Sequence, residues 1–101
     1  MFRRNRFTPI VDAQIQLFVR EHRDVIDEAN ARLDAYERAD RSEAEELYGD
    51  YIDSVETGTE ILADMRDHYA ATLDDPTEYV QTFHRGVAKR LRPFALELEN
   101  R

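Results

Sequence analysis

The sequence predicts an all-α fold: an antiparallel up-down-up arrangement of two long helices, about 9–39 and 43–73, and a shorter, proline-interrupted third, about 76–99. Three observations predict it. Apolar residues recur at helical spacing through most of the chain. Helix-start signals divide it at three points. Between those points there is no repeat, low-complexity tract or linker, so the helices must follow one another through tight turns.

The first start signal is Thr8-Pro9, a hydroxyl that can cap followed by a proline, which has no amide hydrogen to leave unpaired in a first turn. From there Val11, Ile15, Phe18, Val19, His22, Val25, Ile26, Ala29, Leu33 and Tyr36 fall on one face if the helix runs unbroken to about 39. His22 sits within that face, as a hydrogen-bonded core or interface histidine in preference to a metal ligand, because no second ligand can be placed beside it. The second signal, Ser42-Glu43-Ala44-Glu45, has the form of a capping box, in which serine and glutamate satisfy each other's orphan amides. The apolar residues that follow cover about half the circumference, so this helix is expected to touch more than one neighbour. Gly58 lies on its apolar side. A glycine inside a helix costs about 1 kcal/mol relative to alanine, which makes sense where another helix must come close.

Asp75-Pro76-Thr77-Glu78 supplies an acidic cap, a proline and a glutamate for the third helix. Val80, Phe83, Val87, Leu91, Phe94 and Leu98 share its apolar face. Pro93 removes one backbone donor and crowds the preceding turn, which predicts a kink or break near Arg92.

A length of 101 residues fits one domain, 1–101, with residues 1–7 as a basic arm. Cysteine is absent, which excludes disulfides, thiolate metal sites and cysteine nucleophiles. No apolar run reaches the roughly 20 residues a membrane-spanning helix needs, and the expected location is the cytoplasm. The net charge of -8 is unevenly distributed: residues 42–75 carry eleven acids and one basic residue, Arg66, while residues 76–101 carry five basic residues and three acids.

Two charged columns follow from helical spacing. Asp53, Glu56, Glu60, Asp64 and Asp67 advance by three or four residues along the second helix with no interleaved cation. Repulsion at such spacing is a few tenths of a kcal/mol per pair, so the column reads as a solvated face, a contact for a basic protein partner, or a metal site. In the last case the ligands would be Glu56, Glu60, Asp64 and Asp67, with His68 beside them, since hard cations prefer carboxylate oxygens. The third helix carries the opposite column, Arg85, Lys89 and Arg92, and the N-terminal arm carries Arg3, Arg4 and Arg6. Both could meet phosphate, although the acidity of the whole chain opposes nucleic acid.

The functional expectation is a noncatalytic, homo-oligomeric protein-interaction or scaffold module. No phosphate-binding loop, nucleophile elbow or serine with an adjacent base is present, and no cofactor is expected. The third helix is too short to cover two helices of about 45 Å, which leaves apolar surface for a dimer to bury. The expected interface is the broad face of the second helix, namely Tyr48, Tyr51, Val55, Gly58, Leu62, Met65 and Tyr69, with the third helix packed outside or exchanged. The alternatives are a metal-binding regulatory helical protein using the carboxylate column, and a binder of nucleic acid or anionic membrane surfaces using the basic arm and column.

Overall fold

A computed structural model describes residues 5–101 and is all-helical, with no strand among them. Five helices follow in order: α1 Thr8–Glu21, α2 Arg23–Glu37, α3 Ala44–Ala70, α4 Thr77–Arg90 and α5 Arg92–Glu99. The first and third expected helices are each cut in two by a single residue. His22 stands at φ -126°, ψ 37° between α1 and α2, and Leu91 at φ -134°, ψ 53° between α4 and α5.

The break at Leu91 has a local cause. Pro93 cannot donate a hydrogen bond, and it opens α5 in the first turn, where no donor is required. The break at His22 corrects the expectation of an unbroken helix over 9–39, and its cause is tertiary. α1 packs mainly on α4 while α2 packs mainly on α3. One straight apolar face cannot serve two partners that lie in different directions, so the chain turns at His22 and each half covers its own neighbour. The imidazole of His22, half-buried, rests beside the Phe18 ring with centroids 5.3 Å apart.

The helix starts fall near the expected places but are capped by other residues. Before α1, Asn5 Oδ1 accepts the Phe7 amide at 2.9 Å and the Thr8 hydroxyl at 3.3 Å, so Thr8 donates instead of capping. Before α3, Asp40 Oδ1 accepts the Glu43 amide at 3.1 Å and the Ser42 hydroxyl at 2.7 Å, and this replaces the expected serine-glutamate box. Before α4, Asp75 Oδ1 accepts the Thr77 amide at 3.1 Å, in keeping with its expected role.

The buried residues form one core. α1 contributes Val11, Ile15 and Phe18, α3 contributes Val55, Leu62 and Ala63, and α5 contributes Phe94 and Leu98. α4 contributes Phe83, Val87 and Tyr79, and Tyr79 takes the interior position that the sequence reading gave to Val80, which is only half-buried. Tyr79 can be fully buried because its hydroxyl donates to Gln14 Oε1 at 2.9 Å. Phe7, Tyr69 and Phe83 surround its ring at centroid distances of 5.7, 4.7 and 6.0 Å.

At two glycines a neighbouring helix's side chain fills the space a Cβ would need. A Cβ at Gly58 would stand 2.8 Å from Phe94 Cζ, so α3 and α5 meet ring against backbone. A Cβ at Gly86 would stand 2.7 Å from Ile15 Cδ1 and 3.1 Å from Val11 Cγ1, which is how α4 receives α1. α3 thereby touches α2, α5 and α4, as its broad apolar face requires. The molecule extends 49 × 31 × 23 Å. No helix among the described residues is long and apolar enough to cross a membrane.

Candidate functional site

The core stops short of one end of the molecule. On α2 the last buried residue is Ala29, on α3 the first is Val55, and none between them is buried. The two helices continue past the body as an arm closed by the turn at 38–43. Leu33, Tyr36, Leu47, Tyr51 and Ile52 lie half-buried along it, and Tyr48 is 48% exposed. Its three tyrosines meet in series with tilted rings, Tyr36 to Tyr48 at 5.2 Å and Tyr48 to Tyr51 at 6.3 Å between centroids. Burial and the neighbouring Tyr48 and Glu37 raise the Tyr51 phenol above its ordinary pKa, so it is a neutral hydroxyl at physiological pH. Arg32 pairs with Glu28 at 3.5 Å and Asp50 at 3.9 Å, giving the arm a polar flank. Where the arm meets the body, Asn30, Leu33, Glu37, Tyr51, Arg92 and Pro93 border an open groove of about 450 Å³.

The seven residues expected at the interface are divided by this geometry. Val55, Gly58 and Leu62 are buried within the chain, Gly58 against the Phe94 ring of α5. Tyr48 and Tyr51 lie on the arm, while Met65 and Tyr69 are half-buried against the core.

The acidic column is laid out as its spacing implies. Asp53, Glu56, Glu60, Asp64 and Asp67 are all exposed on α3. Glu56 approaches Arg101 at 3.7 Å and Asp67 accepts the Nε–H of Arg66 at 2.8 Å. His68 bonds through Nδ1 to the Asp64 backbone carbonyl at 3.0 Å. Among the described residues no three His, Asp or Glu side chains converge as a metal-holding group. On the basic side Arg85, Lys89 and Arg92 are exposed, while Arg90 pairs with Asp12 at 3.8 Å. Arg3 and Arg4 lie outside the described residues. Arg6 is exposed, with its guanidinium 4.7 Å from the centroid of the Phe7 ring.

The residue that sequence reasoning missed is Arg66, only 5% exposed. Its guanidinium lies between α3, α4 and the end of α5. Besides its bond to Asp67, Nη1 donates to the Leu98 carbonyl at 3.1 Å, and Nη2 donates to the Arg101 carbonyl at 3.1 Å. Nη1 is also 3.0 Å from His84 Nε2. Within the acidic segment 42–75 a lone arginine reads as a surface cation. The signal that could have placed it is its register, four residues after Leu62 and seven after Thr59, which puts it on the buried face.

Compared with protein-family models, with curated proteins and with solved structures, the chain matches none.

Proposed function

We propose that this chain is a noncatalytic, self-associating helical module, in which the α2–α3 arms of two copies pack together as a four-helix core. One observation carries the reading: over residues 30–54 nothing is buried, yet the arm presents Leu33, Tyr36, Leu47, Tyr48, Tyr51 and Ile52. Two antiparallel helices cannot enclose a core by themselves, whereas four can. Aromatic side chains concentrate at the centres of protein interfaces, and the Arg32 ion pairs would form the polar rim around them. A two-fold arrangement also uses the same patch on both copies, so no further surface is needed.

Light scattering after size exclusion tests it. A mass of two chains is expected, and a strict monomer at high micromolar concentration would overturn the reading. Tyr48→Glu places a charge at a position already half in water in the single chain, so the fold should persist while dimer affinity falls roughly tenfold or more.

A further inference from the structure

Besides its buried Phe94 and Leu98, the C-terminal helix is tied to α3 by one buried cation, Arg66, which in turn rests on the imidazole of His84 in α4. Arginine has no lone pair to offer, so in the 3.0 Å contact between Arg66 Nη1 and His84 Nε2 the arginine donates and the histidine accepts. The neutral ring therefore carries its proton on Nδ1. With its second hydrogen Nη1 bonds the Leu98 carbonyl, which also accepts the Arg101 amide at 3.1 Å, and Nη2 bonds the Arg101 carbonyl, so Arg66 ties α3 to the last turn of α5 and to the residue that folds back on it. The bond from Arg66 to His84 depends on Nε2 having no hydrogen.

We propose that α5 is an acid-released latch: a proton taken up at His84 Nε2 turns the Arg66–His84 hydrogen bond into a contact between two cations, and α5 leaves the face of α3. The chain has a joint for such a motion in the single non-helical residue Leu91. The motion uncovers the surface beneath Phe94, including Gly58. The inference does not depend on the association proposed above, because the latch lies within one chain.

The charged groups acting on His84 are Arg66 and Asp67 of α3 and Glu99 of α5. Burial lowers the pKa of the ring below 6.5 and Arg66 lowers it further, while Glu99 and Asp67 oppose them without reversing the direction. The sign follows from linkage. With α5 released, the ring takes a proton more readily than it does under the latch. The latch is therefore at full strength above 6.5 and weakens as the pH falls from there through the lowered value.

Residue-resolved amide exchange on the intact chain, corrected for intrinsic rates, tests the latch at about pH 7.5 and about pH 5. Protection of 95–99 is expected to fall roughly tenfold or more at the lower pH, the scale of losing a hydrogen bond to a charged group, while 58–66 of α3 keeps its protection. His84→Gln retains an acceptor that does not titrate, so its α5 protection should be indifferent to pH. The His84 ring, followed by NMR in the unmodified chain, should titrate at the pH where α5 loses protection. Unchanged α5 protection in the unmodified chain would overturn the proposal. So would an equal loss in His84→Gln, or a loss with a midpoint away from the His84 titration. If His84→Gln does not fold, the coincidence of the two midpoints decides.

Discussion

The ring of Phe94 lies across Gly58 so closely that a methyl group on the glycine would stand 2.8 Å from Cζ and 2.9 Å from Cδ1. Phe94 is fully buried. Gly58→Ala gains about 1 kcal/mol of helix propensity but overpacks the crossing by about 1–3 kcal/mol, so a lower melting temperature is expected. Shortening the ring should relieve the clash, and Phe94→Leu should cost less in the Gly58→Ala background than alone. Thermal melts of the four chains in the cycle measure that coupling.

The other two glycines should respond differently. At Gly86 the nearest atom is the terminal methyl of Ile15, which can rotate, so Gly86→Ala is expected to change stability by less than Gly58→Ala. At Gly49 nothing lies within 4 Å, and Gly49→Ala should stabilise the chain by about 1 kcal/mol through propensity alone. Urea titrations should therefore rank the alanine variants with position 49 highest and position 58 lowest.

Tyr79→Phe removes the bond from the phenol to Gln14 without changing the shape of the core. Burial raises the pKa of this phenol above its ordinary value, with the Gln14 hydrogen bond acting against that, so the hydroxyl is a neutral donor across the physiological range. A loss of about 0.5–1.5 kcal/mol is expected. The loss should be the same at pH values near 6 and near 8, because no group in the bond titrates there. Denaturant midpoints at both pH values check it.

Asp40 and Asp75 give the two helix starts a defined acid response. The Ser42 hydroxyl, followed by the Glu43 and Ser42 amides, holds the Asp40 carboxyl below 3.8, and the Thr77 amide holds Asp75 below the same value. A carboxyl with a lowered folded pKa contributes above the unfolded value and loses that contribution as the pH falls through the folded one. Asp40→Ala and Asp75→Ala should therefore lower the melting temperature at neutral pH. The gap to the unmodified chain should narrow below 3.8, as melts across the acid range would record.

Amides along the arm should exchange faster than those of the core half of α3, because local opening there exposes no buried side chain. Hydrogen exchange at low protein concentration should therefore protect 55–66 more than 44–52. If the arms associate, protection of 44–52 should rise with concentration while that of 55–66 does not change.

Much of this fold was legible because its causes are local. Pro93 announced the joint between α4 and α5 within one residue, and the periodic apolar residues of about 43–73 marked a long helix with more than one neighbour, which the structure sets at Ala44–Ala70. The joint at His22 was not legible, since it contains neither proline nor glycine and arises from two partners lying in different directions. The caps were near misses of one kind: Asn5 and Asp40 each stand two or three residues before the hydroxyl that the pattern favoured, and both bond that hydroxyl. For the candidate site, spacing anticipated an exposed acidic column and a close approach at Gly58. It did not show that Val55, Gly58 and Leu62 are buried within the chain, Gly58 against Phe94 of α5, because which partner fills a groove is not written in the periodicity of the groove. Arg66 was hidden by its composition, an isolated cation among acids whose surroundings are interior.

The two one-residue joints also determine where the chain can be lengthened. At His22 and Leu91 the next helix begins at once, so one inserted residue would turn everything after it by about 100° and aim its apolar side away from the core. The segments 38–43 and 71–76 join their helices through several non-helical residues and carry no such phase relationship. Glycine-serine insertions should therefore be absorbed there and not at the joints, which makes the turn of the arm, at the far end from the latch, the place to splice in a tag or a second domain.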